Sequence, residues 1–294
     1  MRVRSHSFMN ILSNTKVPNQ KTRTSRKHNT KGTHQIKLRH TWFRIILVLI
    51  SGLICYLTYI YGVKPFKLRW RALYGTEEYP SEYSIRGIDI SHHQGNIDWK
   101  KLANSRIKKD PISFIFIKAT EGQDFIDKNF NDNFYQAREY GFLRSAYHYF
   151  KPNVPGKEQA KFYLKQVHLE VGDLPPILDI EEKGDLSTEQ LQKEALDWLR
   201  IVEKQYNVPP ILYTNYKFKL KYLNTSDFRR YPYWIAHYYV KSVKYQGEWK
   251  FWQHTDQGEI EGIKGKVDLN IYNSSMYELK RLCIEDPDQE SDRL

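Results

Sequence analysis

Residues 175–182 read PPILDIEE. A short apolar run ends in two carboxylates, Asp179 and Glu181, two positions apart. On a strand, side chains at i and i+2 point to one face, with Cα atoms about 6.7 Å apart. A buried strand that ends this way delivers two acids to one space. One acid stays ionised while its neighbour, crowded by that charge, is pushed toward the protonated form. Glycoside hydrolysis uses such a pair: one group protonates the leaving oxygen and the other stabilises or traps the sugar cation. An isolated D-x-E is most often a strand end with solvated acids, so the reading depends on what surrounds it.

Outward from this segment, strand-like runs alternate with helical patterns. Strands are expected at residues 85–90, 113–119, 144–150, 177–181, 211–213, 233–236, 251–254 and 267–271. The clearest helices are 129–140, 156–168 and 188–206. The last opens on Ser187-x-x-Gln190, a capping-box spacing, and carries Leu191, Ala195, Trp198, Leu199 and Val202 as one apolar stripe. About eight strands alternating with helices predict an α/β fold, a modified β/α barrel of TIM type. Shorter connections in the final third predict some irregular or antiparallel later strands. An open doubly wound sheet is the alternative, but no glycine-rich phosphate loop follows the first strand.

In such barrels the working residues gather where strands end. Polar and aromatic groups sit near most of the expected ends: Asp89, Lys118 and Glu121, Tyr147 and His148, Asp179 and Glu181. Tyr213, Trp234 and His237, then Trp252, Gln253 and His254, and Asp268 continue the series. Acids, aromatics and amides on one rim describe a carbohydrate cleft better than an apolar cofactor pocket. Tyr147, Tyr213, Trp234, Trp252 and Gln253 are the candidate substrate contacts. Lys118 and Glu121 read equally as a structural ion pair. The histidines show no metal-binding helix spacing, and neither a metal nor a cofactor is expected.

Seven blocks occur in order: GIDISHHQGNIDW (87–99), FIFIKATEG (114–122), SAYHYF (145–150), PILDIEE (176–182), YPYWIAHY (231–238), FWQHT (251–255) and VDLNIY (267–272). Together they resemble the glycoside hydrolase family 25 lysozymes, the Chalaropsis-type N-acetylmuramidases, over about residues 84–279. The resemblance implies an extracytoplasmic barrel that cuts the β-1,4 bond after N-acetylmuramic acid in peptidoglycan glycan strands. It implies Glu181 as general acid and Asp179 as its partner, assisting the substrate's acetamido group or a water. Asp89 and Asp268 match the family's two further acids. His93 stands where many relatives carry an aromatic, which leaves its sugar contact less defined. Four carboxylates in one cleft raise one another's pKa, and a raised pKa is expected for Glu181. A catalytically silent wall-binding scaffold and an N-acetylglucosaminidase or chitinase-like hydrolase are the alternatives.

The formal charge of +12 is uneven. Residues 1–71 hold 15 Lys and Arg and no acid, whereas the remainder holds 31 basic and 34 acidic residues. A slightly acidic folded part gives no nucleic-acid signal. The basic region leads into residues 45–63, 19 positions without a charge, near the ~20 that cross a bilayer as a helix. Eleven basic residues precede this run and four follow it closely, which predicts a cytoplasmic N-terminus and a single-pass membrane protein with its catalytic part on the wall side. A cleaved signal peptide is the competing reading, but no A-x-A-like site follows. The expected organisation is a disordered basic tail (1–44), a transmembrane helix (45–63), a linker (64–84), the barrel (85–282) and a disordered tail (283–294). The two cysteines, Cys55 and Cys283, cannot staple the barrel core. The sequence leaves the oligomeric state open.

Overall fold

The computed structural model describes residues 30–63, 79–238, 240–244 and 248–286, with side chains from Trp42 onward. The chain divides into two compact units, residues 1–66 and 67–294. In the first, α1 (Thr30–Thr58) runs into a five-residue π-helical turn, Tyr59–Val63. Within it, Trp42–Gly62 forms 21 residues of mean hydropathy 2.1, long and apolar enough to cross a membrane. The helix begins well upstream of the apolar run, which corrects the expectation of a disordered tail reaching residue 44. Apart from Gly32, residues 30–44 contain nothing that breaks a helix. The disorder expected for 1–29, 64–78 and 287–294 concerns positions outside the described residues.

The second unit is built on strands whose side chains alternate between two apolar layers. The strands are β1 (Arg86–Ile90), β2 (Arg106–Ile107), β3 (Asp110–Glu121), β4 (Phe125–Ile126), β5 (Leu143–Tyr149), β6 (Ile177–Asp179), β7 (Ile211–Asn215), β8 (Tyr233–Ala236), β9 (Phe251–Gly258) and β10 (Val267–Tyr272). Along β3, Phe114 and Phe116 join an inner cluster with Ile177, Ile211, Trp234, Phe251 and Tyr272. Ile115, Ile117 and Ala119 join an outer cluster against the helices, with Leu178, Trp198, Leu212, Ile235 and Trp252. Strands buried on both faces read as near-continuous apolar runs, which is why FIFI and PPIL show no polar alternation. At Gly87 on β1 a Cβ would lie 2.3 Å from the Phe114 ring, so only glycine leaves that ring its place inside the barrel.

Eight strands close the barrel in the order β1, β3, β5, β6, β7, β8, β9, β10 and back to β1, while β2 and β4 are short antiparallel additions to β3. Neighbours are parallel from β1 through β9, and β10 is antiparallel to both β9 and β1. The chain between β9 and β10, residues 259–266, is too short for the crossover a parallel strand needs. The expected irregularity of the last third is this one reversed strand. Helices α2 (Trp99–Asn104), α3 (Phe130–Glu139), α4 (Gly156–Gln166), α5 (Thr188–Tyr206), α6 (Tyr216–Tyr222) and α7 (Met276–Lys280) lie between or after the strands. Ser187 and Gln190 form the reciprocal cap expected at the start of α5.

The folded unit exceeds its expected edges of 85 and 282. Upstream, Arg86 Nη2 donates to the Pro80 carbonyl at 2.7 Å, and Tyr83 sets its ring edge against Trp249 and Trp252. Downstream, the Ile284 amide donates to Asp173 O and its carbonyl accepts from Gly172 N, both at 2.9 Å. Backbone bonds of this kind to distant loops leave no periodic trace in the sequence.

Candidate active site

β6 places the two acids. Its ladder ends at Asp179, two residues short of the expected end at Glu181, yet the Ile180 amide still reaches Tyr213 O at 3.0 Å. That bond holds the chain extended, so Glu181 keeps the inward direction of Ile177 and Asp179. Asp179 is buried and Glu181 partly buried. The two acids perturb one another electrostatically. Burial, then the charge of Glu181, pushes Asp179 well above the ordinary carboxylate range. Burial, then the charge of Asp89, raises Glu181.

The other two acids meet across a pairing that parallel topology could not supply. Asp89 stands at the carboxyl end of β1, whereas Asp268 stands at the start of β10. Because β10 runs backward, its start lies on the same rim, and the two residues are register partners. Their carboxyls share one donor, Gln253 Nε2. Burial pushes Asp89 up to about 6 against the pull of Asn270 and Gln253. Burial and the charge of Asp89 push Asp268 up to about 9. Around neutrality the cluster therefore holds protons as well as charge, with an ionised Asp89 at its centre.

Gln253 on β9 lies between these acids. Its Nε2 donates to Asp89 Oδ2 at 2.8 Å and Asp268 Oδ2 at 3.0 Å, while its Oε1 accepts from the hydroxyls of Tyr213 at 2.7 Å and Tyr238 at 2.5 Å. Tyr147, on β5, faces Asp89, Asp179 and Asp268. On the rim, Lys118 Nζ pairs with Glu121 at 2.7 Å, and its charge also bears on Asp179. The ion pair left open by the sequence thus exists and borders the acids.

Two expected sugar contacts lie elsewhere. Trp252 is fully buried on the outer layer, its Nε1 donating to His237 O at 2.8 Å. Strand alternation is the reason: with Gln253 turned inward, its neighbours Trp252 and His254 must turn outward. Trp234 does face inward, but it is 2% exposed, packed on Tyr213 at 4.3 Å and Phe116 at 4.6 Å. It floors the acid cluster instead of offering a ring face. His93 is exposed on the turn after β1, its ring 4.0 Å from that of His92, and takes no part in the hydrogen bonds that knit the acids. His148 also points outward, stacked on Trp198 and bonded to Thr120 and Gln159, and burial lowers it to about 4.

Sequence reasoning missed Asn270 and Tyr238. Asn270 Nδ2 donates to Asp89 Oδ2 at 2.7 Å. The signal was available in the same alternation that pairs Asp179 with Glu181: Asn270 follows Asp268 by two, and Tyr238 follows Trp234 by four. It also passed over the His92–Asp127 pair, 2.6 Å apart at the end of β1. Among the described residues no group of three or more His, Cys, Asp or Glu is placed to hold a metal ion. A cavity of about 1050 Å³ opens among residues that precede β6 to β9, including Pro175, Pro209, Pro232 and Lys250. Asp89, Asp179, Glu181 and Asp268 do not line it, so cavity size does not locate the chemistry here.

Residues 88–263 match the model of glycosyl hydrolases family 25. The chain belongs to that family. It is 43% identical over 202 residues to the uncharacterized protein YegX of Escherichia coli (strain K12), covering 68% of this chain and 74% of YegX. It is 31% identical over 218 residues to Lysozyme M1 of Streptomyces globisporus, covering 68% and 71%. The family 25 fold is shared with the bacterial lysozyme from Streptomyces coelicolor, with a TM-score of 0.62 and 31% identity over 68% of this chain and 97% of the other. A family 25 glycosyl hydrolase from Bacillus anthracis aligns with a TM-score of 0.63 and 30% identity, over 69% and 95%.

Proposed function

We propose that this family 25 protein is a muramidase tethered to the membrane, which cleaves the β-1,4 bond between N-acetylmuramic acid and N-acetylglucosamine in peptidoglycan. The observation that carries this is the pair Asp179–Glu181 at the end of β6. The two acids stand two positions apart at the end of one strand, both are raised, and of the two only Glu181 is partly open to solvent. Glu181 is the general acid: its proton passes to the leaving glycosidic oxygen as the C1–O bond breaks. Asp179 assists at the sugar cation, acting on the acetamido group or on the incoming water. Water then adds at C1, its proton restores Glu181, and a new reducing end is left on muramic acid. Relatives named lysozyme support the substrate class.

The tether is α1. Its Trp42–Gly62 stretch, with eleven basic residues ahead of the apolar run, supports a cytoplasmic N-terminus and a barrel on the wall side. Such a hydrolase works within a linker's reach of its membrane and suits local remodelling of the wall.

The test uses the full chain in detergent and its Glu181→Gln variant, each incubated with purified peptidoglycan, with new reducing ends identified by mass spectrometry. Muramic-acid ends from the native chain alone are expected. Glucosamine ends would overturn the bond assignment. If no ends appear from several wall types while both chains sediment with the wall, the protein is a binder.

A further inference from the structure

We propose that Asn270 and Gln253 are positioning residues that keep Asp89 as the fixed anion of the cleft, with Trp234 setting the orientation of Asn270. Both side-chain amides donate to one oxygen, Asp89 Oδ2, at 2.7 and 2.8 Å. An amide can in principle be turned over, exchanging its donor for an acceptor. Here each is prevented from doing so. The Trp234 indole N–H, a donor only, meets Asn270 Oδ1 at 2.8 Å. Reversed, Asn270 would set its NH2 against that N–H and its oxygen against a carboxylate. Gln253 Oε1 is taken by two tyrosine hydroxyls, and reversed it would face two carboxyl groups.

Donors directed at a carboxylate favour its charged form. Asp89 receives both amides, and of the two only Gln253 also reaches Asp268, at 3.0 Å. Two carboxyls that face one another across paired strands and share one amide donor cannot both ionise readily, so the proton of this pair belongs to Asp268, which Asp256 also faces. The remaining charged and titratable groups around Asp89 come from other strands. Asp179 and Glu181 arrive from β6, Tyr147 from β5, Tyr213 from β7 and Tyr238 from beyond β8. Lys118 of β3 acts on Asp179. The anion at Asp89 then helps keep the proton on Glu181. Only this last step rests on the muramidase reading.

The experiment is a carboxyl titration of the full chain in detergent micelles, with ¹³C-labelled aspartate followed by NMR. Asp89→Asn and Asp268→Asn identify the two resonances. In the native chain Asp89 is ionised at pH 7 while Asp268 still holds its proton. Gln253→Met and Asn270→Leu, which match the lost side chains in size, each raise the Asp89 midpoint by about one pH unit or more. Trp234→Phe keeps the aromatic floor but frees Asn270 to turn, and raises the midpoint less. An Asp268 that loses its proton before Asp89, or a midpoint unmoved in all three variants, overturns the assignment. In parallel pH–rate profiles on peptidoglycan, the acid limb follows the Asp89 midpoint. A lower kcat with an unmoved limb would make these residues structural only. Failure of the native chain to release any reducing ends would count against the muramidase reading, and the titration would still decide the charge assignment.

Discussion

At Asp268 burial ties the stability of the fold to pH. Burial and the charge of Asp89 push its folded pKa up to about 9, far above the ordinary carboxylate range, so the folded state binds this proton more tightly than the unfolded chain does. The contribution to stability is therefore full below the unfolded pKa and is lost as pH rises toward 9. Asp268→Asn removes that loss while keeping an acceptor for Gln253 and a donor toward Asp89. At pH 8 the variant is expected to be more stable by roughly 2–3 kcal/mol, discounted for the site's partial exposure. The gain disappears below about pH 4. Thermal denaturation of both chains across this range checks it, and equal melting at pH 8 would mean that Asp268 is not held protonated. Glu181→Gln acts differently, because it removes the transferable proton. Hydrolysis of peptidoglycan is expected to fall by about 10²–10⁴-fold, the contribution of general acid catalysis, with folding intact.

Between elements, the tightest constraint lies where α4 begins against α5. Gly156 is the first residue of α4, its amide donating to Glu194 Oε2 at 2.8 Å. A Cβ at this position would fall 1.9 Å from the Glu194 carbonyl oxygen, part of the α5 backbone. Backbone cannot swing aside as a side chain does, so the helices must separate. Gly156→Ala is expected to destabilise the barrel by about 3 kcal/mol, the upper end of overpacking. Chemical denaturation measures it, and a change under 1 kcal/mol would show that α4 can shift without cost. The β9–β10 hairpin is the element with most consequence for chemistry. Reversal of β10 carries Asp268 and Asn270 to the rim on which β1 and β6 end.

For the whole molecule, the apolar stretch Trp42–Gly62 predicts where the chain is found. Full-length protein should stay in the membrane fraction through alkaline carbonate extraction, and a chain lacking residues 42–62 should not. Recovery of most native protein as a shortened soluble form outside the cell would instead point to cleavage after this helix.

The sequence by itself determined the order of the eight barrel strands and of the three longer helices among them, the acids Asp179 and Glu181, and the apolar span. Each of these rests on local period, and local period is written in consecutive residues. Order alone also brought Asp89 and Asp268 into view as strand-end acids. Only the tertiary structure decided which aromatics face the cleft. Trp252 and Gln253 are adjacent, so one of them must point away, and the inner and outer layers of a strand buried on both faces look alike in sequence. Trp234 was assigned to the correct face but the wrong depth, because depth depends on how far Phe116 and Tyr213 from other strands reach over it. The same holds for the proton distribution. Asp89 and Asp268 differ in charge through the number of amides aimed at each, and those amides come from strands that meet only when the barrel closes.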